Sequence, residues 1–177
     1  MFSHDTEQWL GTVVDLVNSV GELEDLPSLD AFVRRHDISG VDGLAPRDLT
    51  GVHRVRRSVT PIFDAATDHE AATLVNALVS AAPVKPRLTD HDGYEYHIHY
   101  SSPGATLAEH MAVDCGMALA LVISVGERER LRHCAAPDCN NVLVDLSRNR
   151  SKRYCDARTC GNRLHVAAYR ERQRATS

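Results

Sequence analysis

Four of the five cysteines fall in the last 44 residues as two pairs of identical spacing, Cys134-x4-Cys139 and, fifteen residues on, Cys155-x4-Cys160. This pattern limits the C-terminal fold more than any other feature of the chain. Zinc takes four soft thiolates in a tetrahedron, and two local pairs brought together supply them. Each pair sits on a tight turn, so little loop closure remains once the metal binds. The second cysteine of each pair is followed by Asn140-Asn141 or by Gly161, the residue types that enter left-handed backbone most easily. The x4 spacing is looser than the commoner x2. Two disulfides, free thiols or an iron–sulfur cluster are the alternatives, and the first two leave the paired turns unexplained in a reducing compartment. His133 and His165 flank the pairs, but four cysteines already fill a tetrahedral site. The expectation is one structural Zn2+ on Cys134, Cys139, Cys155 and Cys160.

Between the pairs, Val142 to Leu146 reads as a short strand, Ser147 to Ser151 as a polar turn, and Lys152-Arg153-Tyr154 as the return to the third cysteine. After Cys160, the spacing of Leu164, Ala167, Ala168 and Tyr169 predicts a helix. The order is knuckle, hairpin, knuckle, helix, which predicts a treble-clef-like finger.

Charge is divided along the chain. The net formal charge is −4, yet residues 128–177 carry 12 Lys+Arg against 5 Asp+Glu, leaving −11 on residues 1–127. Four thiolates around zinc have a local net charge of −2, so the C-terminal part stays basic and suits an anionic partner. Candidate phosphate contacts are Arg148, Arg150, Lys152 and Arg153 in the turn, and Arg158, Arg163, Arg170, Arg172 and Arg174 in or beside the helix. Arg163, Arg170 and Arg174 are spaced to share one helix face. Contacts to about five phosphates would give a slope of log K against log salt of about −4.5. At the helix start, Asn162 and Arg163 also read as structural supports, one for orphan backbone groups and the other for the thiolates or the first knuckle.

Residues 1–126 read differently. Glu7 to Val20 has a broad apolar stripe (Trp9, Leu10, Val13, Val14, Leu16, Val17, Val20), which predicts a helix stopped by Gly21. Ser28 is placed to cap a short helix to about His36 with Leu29, Phe32 and Val33 inward. Gly40 and Gly43 mark a loop. A third helix is expected from Pro46 towards Ala66, interrupted by Pro61. Thr67-x-x-Glu70 forms a capping box before Ala71 to Ala82, whose stripe is Leu74, Val75, Leu78 and Val79. Lys85 to Thr89 and Tyr94 to Ser101 flank the turn sequence Asp90-His91-Asp92-Gly93. Tyr94, Tyr96, Ile98 and Tyr100 alternate with Glu95, His97 and His99, which predicts a hairpin with one apolar face. A long apolar helix is expected from about Gly104 to Val125, ended by Gly126. The fold class is therefore α+β: a mostly helical N-terminal domain with a small β-hairpin, then the finger.

Hydrophobic residues make up 43% of the chain, enough for a packed core. The longest apolar run, Met117 to Val125, is about half of what a membrane helix needs, and the N-terminus lacks the features of a signal peptide. A cytoplasmic, reducing setting is expected. There is no nucleotide-binding glycine loop, nucleophile elbow or motif-placed carboxylate pair, and a closed four-thiolate site leaves no open metal position. An enzyme is therefore not expected. Cys115 reads as a core thiol, Trp9 as core, and His91, His97 and His99 as exposed hairpin residues rather than a second metal site.

Cys160-Gly161-Asn162-Arg163, with Cys134-x4-Cys139, Asp145, Ser147-Arg148-Asn149, Arg153-Tyr154-Cys155 and Tyr169-Arg170, resembles the CGNR zinc finger. Tyr154 stands where tryptophan is more usual. Val14-Asp15-Leu16-Val17-Asn18-Ser19 is similar to the opening helix of the ABATE domain that precedes this finger. The resemblance implies two domains, 1–126 and 127–177. It also implies a bacterial, stress-responsive transcription regulator, its finger on double-stranded DNA and its N-terminal domain sensing a small ligand or protein. A zinc-stabilised protein- or RNA-binding module is the alternative. No sequence feature fixes an oligomeric state.

Overall fold

The computed structural model describes residues 2–41, 43–89, 96–163, 166 and 172–174, with the side chains of His97 and Ala157 left aside. The chain forms two compact units, Met1–Arg128 and Glu129–Ser177.

The first unit is built on helix α5, Leu107–Ser124. Eleven of its residues are buried, among them Met111, Val113, Cys115, Leu119 and Val122. It packs against α1 (His4–Asn18), α3 (Pro46–Val59) and α4 (Asp68–Val79). The helix is long and apolar enough to cross a membrane by length and composition alone, but it is largely buried within the unit and includes the inward-facing His110 and Asp114. Two glycines set how closely its neighbours approach. A Cβ on Gly51 would stand 2.7 Å from Ala108 Cβ, and one on Gly116 would stand 2.6 Å from Val79 Cγ2. The α3–α5 and α4–α5 crossings are thus glycine-to-side-chain contacts, closer than a pair of larger residues permits.

Helix ends follow local chemistry. Thr106 caps α5 in a reciprocal box with Glu109, satisfying orphan N–H groups that would otherwise face solvent unpaired. The second helix, α2, runs Leu26–Arg35. Its cap is Asp25, and Ser28 is the third residue of the box rather than the cap expected from sequence. Asp25 accepts from Ser28 N–H at 2.9 Å, and Ser28 Oγ accepts from Asp25 N–H at 3.1 Å. Pro61 ends α3 as expected, and the chain tightens into a 3-10 turn over Thr60–Phe63. Thr67 caps α4, but Glu70 accepts from Ala66 N–H at 2.8 Å, one residue before the position a standard box uses. Val20 lies beyond the end of α1 and is 74% exposed, so it is not part of the predicted stripe.

Strands β1 (Val84–Thr89) and β2 (His97–Ser101) pair antiparallel, with Leu88 opposite Ile98 and Arg87 opposite His99. The expected turn 90–93, with Tyr94 and Glu95, lies outside the described residues. The predicted apolar face is only partly turned inward: Tyr100 is half-buried, but Tyr96 is 70% and Ile98 45% exposed, and Leu88 beside them is 66% exposed. His99, expected outward, is half-buried with its ring 6.0 Å from that of His110 on α5. The reason is an edge contact: Tyr100 N–H donates to Asp114 Oδ1 on α5 at 3.2 Å. That bond joins β2 to the core helix through its backbone, and the alternation of side chains does not decide which face turns inward. On the other edge, the register is irregular between Val84 and Arg87, where Pro86 removes a donor. Trp9 is half-buried against His110, with ring centroids 5.4 Å apart.

In the second unit, β3 (Leu131–His133) pairs antiparallel with β4 (Val142–Val144). The segment from Arg128 to His133 is a 3-10 turn followed by a strand. The hairpin encloses the first cysteine pair instead of lying between the pairs. The return segment Lys152-Arg153-Tyr154 is not a strand, but Arg153 O accepts from Ala135 N–H at 2.8 Å. The second pair leads into a wide helical turn, Ala157–Gly161, in which Gly161 N–H bonds Asp156 O at 3.1 Å. Asn162, Arg163, Val166 and residues 172–174 are helical; Leu164, His165, Ala167, Ala168, Tyr169 and Arg170 lie outside the described residues.

Candidate metal centre and basic loop

The two turns bring the four thiols together. The Sγ atoms of Cys134, Cys139, Cys155 and Cys160 all lie within 4.8 Å of one another. Cys139 and Cys155 sulfurs are 3.7 Å apart, and Cys155 and Cys160 sulfurs 3.8 Å. A tetrahedron with Zn–S of about 2.3 Å has edges of about 3.8 Å, so both spacing and donor type fit one structural zinc. Cys134 and Cys160 are buried, and Ala136 and Tyr154 pack against the group.

Backbone and side-chain donors surround the sulfurs. Cys155 N–H donates to Cys134 Sγ at 3.4 Å, and Asn141 Nδ2 donates to Cys155 Sγ at 3.6 Å. Burial raises the Cys134 pKa, but the amides of Cys155 and Ala136 and the neighbouring thiols outweigh it and bring it down to about 7. Burial pushes Cys155 up to about 12 despite the bond from Asn141. Zinc is held by thiolates, so metal binding displaces the protons that the four sulfurs carry.

Arg163 joins the two knuckles. Its guanidinium forms a fork on Asp138, at 2.6 and 2.7 Å, while Nη2 lies 3.9 Å from Cys160 Sγ. Asp138 belongs to the first pair's turn and Arg163 to the residues after the last cysteine. A bidentate pair adds geometric definition beyond that of a point charge. Cys115 is fully buried on α5, and burial pushes its thiol pKa upward.

The segment after β4 is organised by Asp145, whose side chain is wholly buried. Its Oδ1 accepts from Ser147 N–H at 3.0 Å and Ser147 Oγ at 2.5 Å; Oδ2 accepts from Lys152 N–H at 2.9 Å and pairs with Arg132 at 3.1 Å. Burial pushes this carboxyl up, but the Ser147 donors, the Lys152 amide and Arg132 outweigh it and hold it below the ordinary range. Arg130 donates to the carbonyls of Asp145 and Ser147 at 2.6 and 3.0 Å. Arg132 donates to those of Arg150 and Lys152 at 3.1 and 3.4 Å. A loop of this length is thus tied at both ends and across its middle.

The predicted cations divide by environment. Arg148, Lys152, Arg153 and Arg158 are exposed. Arg153 lies over the Tyr154 ring at 5.9 Å. Arg150 pairs with Glu129, and Arg158 stands beside Asp156. Arg163 is engaged by Asp138, which agrees with the supporting role read from its position. Arg172 and Arg174 are helical and exposed, and Arg170 lies outside the described residues. The pairing roles of three residues are not legible in the sequence. Asp138 and Asn141 act on partners 25 and 14 residues away, and Asp145 draws Arg132 and Lys152 together across the turn. The only signal in sequence was Asp145 within the motif.

A bundle of helices with a small sheet, followed by a four-thiolate unit with an exposed basic loop, defines a zinc-finger protein with a separate helical domain. Residues 130–173 match the CGNR zinc finger, and residues 11–124 match the ABATE family, described as "Putative stress-induced transcription regulator". The second match covers more than half of the chain, and the protein belongs to the ABATE family, with a CGNR zinc finger following that domain. No curated protein matches the chain.

Proposed function

We propose that the protein is a zinc-dependent transcription regulator whose residues 127–177 contact double-stranded DNA and whose residues 1–126 sense a signal. Cys134, Cys139, Cys155 and Cys160 are the ligands in this reading, and the metal is structural. The site has four protein donors and no open position, so its role is to fold the finger and not to activate water. The family supplies the regulator class. The observation that supports nucleic acid as the partner is the exposed set Arg148, Lys152 and Arg153 on the loop beside the metal group. Phosphate neutralisation dominates affinity for DNA, and the acidic residues 1–127 direct any such contact to the finger. A cytoplasmic location is part of the same reading.

The test is binding of the zinc-loaded chain to random-sequence duplex DNA over a salt titration, with and without chelator. The expected result is a log–log slope of several units, with binding lost on metal removal. Absence of binding at low salt would make the basic surface one for RNA or protein, and the DNA assignment would fall.

A further inference from the structure

We infer that the loop from Ser147 to Arg153 is the finger's phosphate-anchoring element, and that buried Asp145 is the residue that positions it. This inference rests on the DNA-contact reading and names the part of the finger that carries it. The argument begins with how the basic residues are held. Arg130 and Arg132 are turned inward onto loop carbonyls, and Arg163 is clamped by Asp138. Arg150 pairs with Glu129. Among the described residues, the side chains of Arg148 and Lys152 have no carboxylate partner. Together with Arg153, and with the exposed Arg150 that pairs with Glu129, they place four exposed cations within six residues.

The loop carrying them is shaped in advance. Ser147 Oγ accepts from Ser151 N–H at 3.0 Å, and Ser147 O from Arg150 N–H at 3.2 Å. Arg150 has φ +50, a left-handed conformation that costs a non-glycine residue energy and persists only where surrounding bonds enforce it. Asp145 supplies that enforcement through its contacts with Ser147, Lys152 and Arg132. A nucleic-acid backbone that meets cations on a preformed loop orders fewer groups on binding. Contacts of this kind are made to phosphates and carry no sequence information directly. The loop therefore anchors, and base reading is left to other parts of the finger.

The experiment uses the full zinc-loaded chain, duplex DNA and a salt titration, with zinc content measured for every variant. R148A, R148A/K152A/R153A and D145N are compared with the parent. All three cations are exposed, so their removal leaves the fold and metal in place. The expected result is a slope shallower by about 0.9 for the single variant and by about 2.7 for the triple variant. D145N is expected to keep its zinc, and the cations themselves, but to bind several-fold more weakly. A triple variant with the parent's slope would overturn the anchoring role while the DNA reading stood. D145N with parental affinity would remove the positioning role. A parent that fails to bind duplex DNA would end both the reading and the inference.

Discussion

Asp114 is a buried carboxyl on α5 that faces other titratable groups of the N-terminal unit. Burial raises its pKa from the ordinary 3.8 to about 6, opposed in part by the bonds from Tyr100 N–H and Ser101. Facing it are His110 on its own helix, Asp5 on α1, and Arg87 on β1. A carboxyl whose folded pKa is raised holds its proton more tightly in the folded state. Its contribution to stability is fully present below about 3.8 and is lost as pH rises through about 6. The change across that window is about 2–3 kcal/mol. D114N should remove it, so the difference in urea midpoint between pH 4.5 and pH 7.5 should shift accordingly between parent and variant. An identical pH dependence in the two proteins would show that Asp114 does not titrate in this range.

At the scale of elements, the two closest helix crossings can be separated from ordinary glycine flexibility. Gly51→Ala places a methyl against Ala108 Cβ, which cannot rotate away, and should destabilise by about 1–3 kcal/mol. Gly11 lies in α1 with open space around its Cα, and Gly11→Ala should stabilise by about 0.5–1 kcal/mol. Opposite shifts in chemical denaturation check both. The helices themselves were legible because a 3.6-residue apolar period reports one buried face, and Pro61 and Gly126 act where they stand. The hairpin's existence was legible from its alternation, but its inward face was not. The bond from Tyr100 N–H to Asp114 joins strand to helix by backbone, and no side-chain pattern records that. In the finger, the cysteine spacing announced the metal group. The strand before it was hidden because Leu131-Arg132-His133 is too short to show a period, and Asp138–Arg163 and Asn141–Cys155 meet only after folding.

For the whole molecule, metal and folding should be coupled in the second unit alone. Cys155→Ser removes one of the four donors and should leave residues 134–177 open to protease while the N-terminal unit stays resistant. Chelation of the parent should give the same digestion pattern, and retained resistance of the finger in both would refute the coupling. The boundary between the units also has a physical marker. Arg128 Nε donates to Asp68 at 2.5 Å, and Nη1 donates to Ala65 O at 2.9 Å. The residue that leaves the helical unit is thus bound to the start of α4.

That hook has a consequence for how such a protein can be recombined. A chimaera that joins a foreign finger directly after Ser124 would discard Arg128, leaving the approach to α4 without its guanidinium and the carbonyl of Ala65 without that donor. A joint placed after Arg128 carries the fastening with the domain it serves. The natural seam for exchanging one finger for another is therefore set by one arginine, a few residues beyond where the core helix ends.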